Sequence, residues 1–190
     1  MQEEKQNFEI EIKLPVQDLA LLKEELCLRG FAEKARIREK DQYYNGDHHN
    51  VKDRGEALRI RESTDLATGA SCAQINFKGR KIDNVSMSRP EYETQVQDGA
   101  CMGQILKALG FLPVAVVTKT RCYLERGDMT ACLDQVEGLG AFLELEIVTG
   151  EASLRETALQ EMEQLLTELG LSMNDTVRTS YLGLLSGEAD

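Results

Sequence analysis

Alternating charged and branched apolar residues mark the start of the chain. Residues 9–14 read Glu-Ile-Glu-Ile-Lys-Leu. Because alternate side chains of a β-strand share a face, the charged residues would lie on one face and the apolar residues on the other. Like-charged pairs with the same spacing recur later, at Arg59 and Arg61, Lys119 and Arg121, and Glu144 and Glu146. One such strand is typical of a solvated sheet face, whereas four together predict a shared charged interior.

Apolar periodicity and turn residues divide the chain into about eight strands and three or four helices. The predicted strands cover residues 9–14, 31–44, 56–63, 71–78, 85–96, 114–125, 129–135 and 141–149. The predicted helices cover residues 16–29, 98–109 and 153–169, with a short closing helix over 178–182. Pro113 is expected to break the chain, and Ser153 opens a capping-box pattern at the third helix.

Short turns connect most of these strands, which is typical of antiparallel hairpins. We therefore predict an α+β protein, an eight-stranded antiparallel closed β-barrel with helices packed outside. The apolar strand faces would contact the helices, and the charged faces would point inward. A chain of 190 residues is expected to form a single domain over 1–190, with a core over about 8–170 and a closing segment over 171–190.

The composition narrows the classes of partner. The formal net charge is −11 and Trp is absent, so a nucleic-acid partner is disfavoured, although a local cationic cluster can still bind a nucleotide. The five cysteines show no CxxC spacing and are interpreted as free thiols in a reducing compartment. With no apolar signal region and no run of ~18 apolar residues, we expect a cytoplasmic protein without a membrane partner.

Six motifs in order resemble the CYTH superfamily, the triphosphate tunnel metalloenzymes. They are Glu9-x-Glu11-x-Lys13, residues 54–61, residues 77–79, Lys119-x-Arg121, residues 133–140 and residues 142–146. Together they extend over nearly the whole chain, from about residue 8 to residue 182. Within the superfamily, residues 39–43, 137–142 and 178–185 look most like class IV adenylyl cyclases. Thiamine triphosphatase-like proteins are the neighbouring branch.

The resemblance implies a tunnel in which cations bind a triphosphate and carboxylates hold a divalent metal. The phosphate oxygens would be bound by Lys13, Arg59, Arg61, Lys78, Lys119 and Arg121, and strand spacing adds Arg89 as a further candidate. The metal, Mg²⁺ or Mn²⁺, prefers oxygen ligands and would be held by Glu9, Glu11, Asp134, Glu144 and Glu146. Those five carboxylates and Lys13 are the candidate catalytic residues. Six cations against five carboxylates would leave +1, so a triphosphate arriving with divalent ions would be nearly neutralised.

Several functions stay open from the sequence. The resemblance favours a class IV-type adenylyl cyclase, which converts ATP to cyclic AMP and pyrophosphate. The alternatives are a phosphohydrolase of inorganic triphosphate or thiamine triphosphate, and a module that binds nucleotide or polyphosphate without turnover. A barrel with solvated charged faces and no site is the plainest reading. Relatives often form homodimers, so a second copy of the chain is one expected partner.

Two further pairs of residues have ambiguous positions. Tyr43 and Tyr44 are adjacent, so only one of them can face the interior, and core packing is the favoured role. Glu91 and Glu93 share a face of the fifth strand. They would either be solvated or hold the lysines that contact substrate.

Overall fold

The computed structural model describes residues 8–80, 91–149 and 154–187, without the side chains of residues 8 and 9. The strands are β1 (Phe8–Val16), β2 (Ala32–Gly46), β3 (Ala57–Asp65), β4 (Ser71–Lys78), β5 (Glu91–Val96), β6 (Phe111–Arg126), β7 (Met129–Val136) and β8 (Gly140–Thr149). The helices are α1 (Leu19–Leu28), α2 (Gly99–Ala108), α3 (Arg155–Glu168) and α4 (Tyr181–Leu185), with a 3₁₀ turn over Met173–Asp175. The α+β class is therefore confirmed.

All eight strands join one antiparallel sheet in the order β1-β8-β7-β6-β2-β3-β4-β5. The edge strands are β1 and β5. Among the residues that the structure describes, no pairing joins these two edges, so closure into a barrel stays a prediction. No helix in the same residues is long and apolar enough to span a membrane.

Helices α1, α2 and α3 cover one face of the sheet, whereas α4 packs on the opposite face through Tyr181. Helices α1 and α3 pack on β1 and β6–β8 through a cluster that includes Leu14, Leu26, Leu145 and Met162. Helix α2 packs on β3 and β4, and Leu106 lies in a second buried cluster with Tyr44, Leu58 and Ile60. Because burial of these side chains is the main driving force for folding, the apolar strand faces turn toward the helices as predicted. The charged faces are left on the opposite side, which we call the inner face.

The predicted break at Pro113 is wrong, because β6 runs through this residue. Pro113 lies opposite Tyr44 of β2, beside a register shift between Tyr43 and Tyr44. Residues 111–118 of β6 pair with β2 on one side, and the pairing with β7 begins only at Lys119. Proline has no N–H to donate, and it is tolerated where a strand has a free side or a bulge. The two tyrosines face opposite sides of the sheet, as strand alternation requires: Tyr43 packs with Val117 and Tyr181, and Tyr44 packs under α2.

Three helix starts differ from the sequence pattern, and one of them is α4, which begins at Tyr181 and not at residue 178. Strand β1 continues to Val16, and α1 begins at Leu19 because the Asp18 carboxylate accepts hydrogen bonds from the backbone N–H groups of Ala20 and Leu21 at 2.9 and 3.0 Å. Helix α3 begins at Arg155, and the predicted cap at Ser153 lies outside the described residues. Helix α2 has the predicted cap, since Asp98 accepts a hydrogen bond from Cys101 N at 2.8 Å.

Candidate functional site

Every strand contributes charged or amide side chains to the inner face. The charged members with described side chains are Glu11, Lys13, Glu39, Asp41, Arg59, Arg61, Lys78, Glu91, Glu93, Lys119, Arg121, Asp134, Glu144 and Glu146. All the predicted cations except Arg89 are present, and Arg89 lies outside the described residues. Among the predicted carboxylates only Glu9 cannot be placed, because its side chain is not described. The predicted residues with described side chains therefore share one face of one sheet.

Arg121 is the centre of a buried ion-pair network. Its Nε donates to Asp134 Oδ1 at 2.7 Å, and its Nη2 donates to Asp134 Oδ2 at 2.5 Å and to Glu144. Its Nη1 lies 3.6 Å from Glu146 Oε1. Burial alone would lower the pKa of Arg121, but the Glu144 and Asp134 carboxylates outweigh burial and raise it. The guanidinium therefore stays charged and contacts three predicted metal ligands, Asp134, Glu144 and Glu146.

Asp134 connects this network to two further elements. It is fully buried and accepts hydrogen bonds from Lys119 Nζ at 3.0 Å and from Tyr181 Oη at 2.9 Å. Burial would raise the pKa of this carboxyl, but Arg121 and Lys119 hold it at about 2, below its ordinary 3.8. Asp134 is therefore an obligate carboxylate at neutral pH.

This depressed pKa predicts acid destabilisation. A carboxyl with a lower pKa in the folded than in the unfolded state stabilises the fold above the unfolded pKa, and this contribution is lost as pH falls from about 4 to about 2. The shift corresponds to a loss on the order of 2 kcal/mol of unfolding free energy. Urea unfolding of the wild type and of Asp134→Asn between pH 5 and pH 2 would measure it. Equal pH dependence of the two proteins would contradict the assignment.

A second ion-pair cluster joins β2 and β3. Arg61 donates from Nε and Nη2 to the two Asp41 oxygens at 2.6 and 2.7 Å, and from Nη1 to Glu39 Oε1 at 3.2 Å. Arg59 Nη1 donates to Asp41 Oδ2 at 3.0 Å. Although burial opposes it, Arg61 and Arg59 lower the pKa of Asp41. Both predicted phosphate-binding arginines are thus oriented by carboxylates of the neighbouring strand.

Lys13 is buried at the end of the inner face near the C-terminal segment. Its Nζ donates to the Thr179 carbonyl at 2.6 Å and lies 4.5 Å from the centre of the Tyr181 ring. Its backbone carbonyl accepts a hydrogen bond from Val177 N at 2.7 Å. Burial lowers the pKa of Lys13, and Glu144 and Glu11 partly offset this effect. The segment before α4 therefore contacts Lys13, one of the predicted phosphate-binding residues, directly.

The remaining predicted cation, Lys78, lies at the end of β4 and pairs with a carboxylate of β5. Lys78 Nζ lies 3.1 Å from Glu91 Oε2. The Asn76 amide donates to Glu91 Oε1 at 2.5 Å and to Glu93 Oε2 at 3.1 Å. Glu91 therefore contacts a predicted phosphate-binding lysine, whereas the contact shown for Glu93 is with Asn76.

The carboxylates of β1 and β8 fit a hard divalent cation. Glu11 and Glu146 are directly opposite each other in register, and like charges in such a pair repel unless a cation compensates them. The described side chains of this face comprise six cations and eight carboxylates, a balance of −2 among them; four of these carboxylates, Glu39, Asp41, Glu91 and Glu93, were not in the set counted from the sequence. Within residues 8–80, 91–149 and 154–187, no three His, Cys, Asp or Glu side chains converge on one point. Substrate oxygens and water would complete the ligand shell, as is usual for Mg²⁺.

The sequence analysis missed Glu39, Asp41, Asn76 and Tyr181 as members of the site. Glu39 and Asp41 have the same two-residue spacing as the recognised pairs, and this signal was available. Asn76 lies between Gln74 and Lys78 with the same two-residue spacing, so this signal was available as well. Tyr181 lies in the segment 178–185 that contributed to the family resemblance, but the residues that it contacts on the inner face are remote in sequence.

Comparisons with known proteins agree with this geometry. The CYTH domain family matches residues 7–181 of the chain. "Putative adenylate cyclase MJ0240" of Methanocaldococcus jannaschii is 36% identical over 177 residues, which cover 93% of this chain and 98% of that protein. Adenylate cyclase CyaB of Aeromonas hydrophila is 28% identical over 181 residues, covering 92% and 86% of the two chains.

A solved structure supports the fold at lower identity. HpAC1 from Hippeastrum superposes with a TM-score of 0.71 at 20% identity, over 96% of this chain and 98% of that one. That protein is described as an adenylyl cyclase candidate with a dominant triphosphatase activity. At this identity the likeness establishes the shared fold alone.

Proposed function

Because the chain belongs to the CYTH domain family, we propose that it is a metal-dependent enzyme that acts on a triphosphate bound at the inner face. The reaction we propose is that of a class IV-type adenylyl cyclase, which forms cyclic AMP and pyrophosphate from ATP. The observation that carries the proposal is the set of buried cations on one face, in which Lys119 and Arg121 are oriented by Asp134 of the neighbouring strand and Lys13 by the Thr179 carbonyl. A face that were only solvated would not bury Lys119, Arg121 and Asp134 together.

The cations would bind and orient the triphosphate. Arginine suits this role because its planar guanidinium pairs with two oxygens at once. Arg59, Arg61, Lys119 and Arg121 are already held in place by ion pairs, so little side-chain entropy would be lost on binding. In a cyclisation, the ribose 3′-hydroxyl loses its proton to water and its oxygen bonds to the α-phosphorus. The bond between the α-phosphorus and the oxygen that bridges to the β-phosphorus breaks, and pyrophosphate leaves with that oxygen. The same cations would stabilise the negative charge that develops on pyrophosphate.

Glu11 and Glu146, with Glu9, Asp134 and Glu144 as further candidates, would hold Mg²⁺ or Mn²⁺. The bound metal would supply Lewis-acid activation of the phosphate and of the attacking oxygen. The negative balance of the described side chains on this face gives a further reason to propose metal dependence, because it would otherwise oppose the binding of a polyanion. Arg121 would keep Glu144 and Asp134 from rotating out of position. Closure of the sheet into a tunnel would exclude water from the same face.

A triphosphatase is the second candidate, and the activity described for HpAC1 favours it. The cation set would bind the same phosphates in either reaction. The two differ in the nucleophile, a ribose hydroxyl or water, and in the phosphorus that it attacks. A module that binds polyphosphate without turnover would gain nothing from the surplus of carboxylates, so we place it third.

Product identification tests this proposal. The purified protein would be incubated with Mg²⁺ or Mn²⁺ and, separately, with ATP, inorganic triphosphate and thiamine triphosphate, and every product separated by chromatography. Cyclic AMP and pyrophosphate from ATP are expected. Orthophosphate without a cyclic product would make the chain a triphosphatase. If none of the three turned over while triphosphate still raised the melting temperature, the binding module would replace the enzyme.

A further inference from the structure

Three buried side-chain atoms among the described residues have no hydrogen-bond partner, namely Glu39 Oε2, Arg59 Nε and Asn76 Oδ1. All three residues lie on the inner face, on the neighbouring strands β2, β3 and β4. Glu39 Oε2 lies 3.4 Å from Lys119 Nζ, so an ion pair compensates it. Arg59 and Asn76 are cross-strand partners in register. A buried donor and a buried acceptor without partners, on paired residues of adjacent strands, mark a place for a ligand or an ordered water.

The orientation of the Asn76 amide follows from its other contacts. Its Nδ2 donates to both Glu91 and Glu93, at 2.5 and 3.1 Å. The reverse orientation would place the amide oxygen against two carboxylates, which accept hydrogen bonds but cannot donate them. Glu91 is itself fixed by Lys78 at 3.1 Å. Asn76 Oδ1 is therefore held as an unpaired acceptor, with an exposed fraction of 0% in the absence of ligand.

The two unpaired atoms call for different chemistry from the rest of the face. A phosphate oxygen could accept from Arg59 Nε, but an ionised phosphate has no proton to donate to Asn76 Oδ1. A hydroxyl satisfies both atoms, since it accepts one hydrogen bond and donates another. The cations of β6, Lys119 and Arg121, are instead matched by carboxylates. The two atoms suited to a neutral hydroxyl thus lie on β3 and β4, beside the ion pairs of β6.

We propose that Asn76 and Arg59 form a hydroxyl-binding subsite that takes a ribose hydroxyl of a nucleoside triphosphate. The proposal rests on the proposed function, because it presumes that the cations bind the triphosphate of the same molecule. It adds the substrate class, a nucleoside triphosphate in preference to inorganic triphosphate. Asn76 would be a specificity-determining residue, and Lys78 would leave Glu91 when it pairs with the phosphates.

The first test uses the wild-type protein and ligands that differ by one hydroxyl. Binding of ATP, 2′-deoxy-ATP, 3′-deoxy-ATP and inorganic triphosphate would be measured by calorimetry with Mg²⁺ at low temperature, and product formation checked by chromatography. We expect one of the two deoxynucleotides to bind about 10-fold more weakly than ATP, because the missing hydroxyl leaves the buried Asn76 acceptor unpaired. Equal affinities for ATP and both deoxynucleotides would overturn the subsite and indicate an ordered water there.

The second test uses Asn76→Leu, with Gln74→Leu as the matched control. Gln74 is an amide on the same strand and the same face, opposite Arg61. Asn76→Leu is expected to reduce the 10-fold preference for ATP to less than about 2-fold, with triphosphate affinity changed by less than about 3-fold. Gln74→Leu is expected to keep the preference. A preference that survived Asn76→Leu would overturn the assignment.

The ligand series separates this inference from the proposed function. If inorganic triphosphate failed to bind the wild type, the triphosphate site itself would be wrong. If triphosphate bound but the hydroxyl had no effect, only the subsite would be wrong. Should Asn76→Leu fold poorly, as judged by its melting temperature, the wild-type comparison with deoxynucleotides still decides the question.

Discussion

Replacing Glu144 and Glu146 together by Gln is expected to abolish turnover while leaving triphosphate binding intact. Glutamine keeps the shape of each side chain and removes its charge, so a divalent ion loses two of its proposed ligands. Metal ions supply several kcal/mol of transition-state stabilisation in phosphate chemistry, which corresponds to a rate loss of at least ~100-fold. Product formation from ATP and from triphosphate, each with Mg²⁺ and Mn²⁺, would measure it.

Without metal, the double variant should bind triphosphate at least as tightly as the wild type does, although it has lost turnover. The double substitution removes two negative charges beside Arg121 and Lys13, so calorimetry with triphosphate in a chelator should show affinity equal to or tighter than that of the wild type. The matched control is Glu125→Gln with Glu137→Gln, since both glutamates are exposed and pair with Lys34 and Arg38 at 3.7 and 3.0 Å. That control should keep full turnover. Full turnover in the Glu144 and Glu146 double variant would mean that the metal is held elsewhere.

The two-residue period of the strands made most of the fold predictable. An alternating strand fixes its buried face, because a slip of one residue would turn every apolar side chain to the wrong side. This local rule identified Lys13, Arg59, Arg121 and Glu144 as members of one face before any pairing was known. It says nothing about which strands are neighbours, so the sheet order and the direct opposition of Glu11 and Glu146 came only from the structure.

Strand β2 shows why part of the site was missed. Its residues 36–41 read Arg-Ile-Arg-Glu-Lys-Asp, so both faces carry charge and the inner face cannot be identified from the pattern. In the structure Glu39 and Asp41 face inward, while Arg38 and Lys40 pair at the surface with Glu137 and Glu62 at 3.0 and 3.8 Å. Only the partner strands decide between the two faces. Where both faces of a strand are polar, hydrophobic periodicity cannot identify the inward-facing one.

Contacts remote in sequence account for the rest. Lys13 and Thr179 are separated by 166 residues yet share a 2.6 Å hydrogen bond. Tyr181 reaches Asp134 across 47 residues. The sequence predicted a short helix over 178–182, and the structure has one at Tyr181–Leu185, but the helix pattern could not show that its tyrosine packs against two lysines of the site.

Arg121→Met is expected to lower the free energy of unfolding by about 3–5 kcal/mol at neutral pH. The methionine retains much of the side-chain volume but leaves Asp134 and Glu144 buried without their main cation. Asp134 keeps Lys119 and Tyr181 as partners at 3.0 and 2.9 Å, so the penalty is less than that of an isolated charge. Urea or guanidinium unfolding would measure it. Arg38→Met is the control, because Arg38 forms an exposed ion pair with Glu137 and should cost less than about 1 kcal/mol.

The cause of this loss can be separated from lost packing by neutralising the partners. In Arg121→Met combined with Asp134→Asn and Glu144→Gln no buried carboxylate is left unpaired by the missing guanidinium, so most of the lost stability should return. The single variant should also approach the wild type as pH falls from 7 toward 4, since its unpaired carboxylates can take up protons. If the triple variant were as unstable as the single one, packing would explain the loss. Recovery of stability without recovery of triphosphate binding would show that the buried charges are retained for the ligand rather than for the fold.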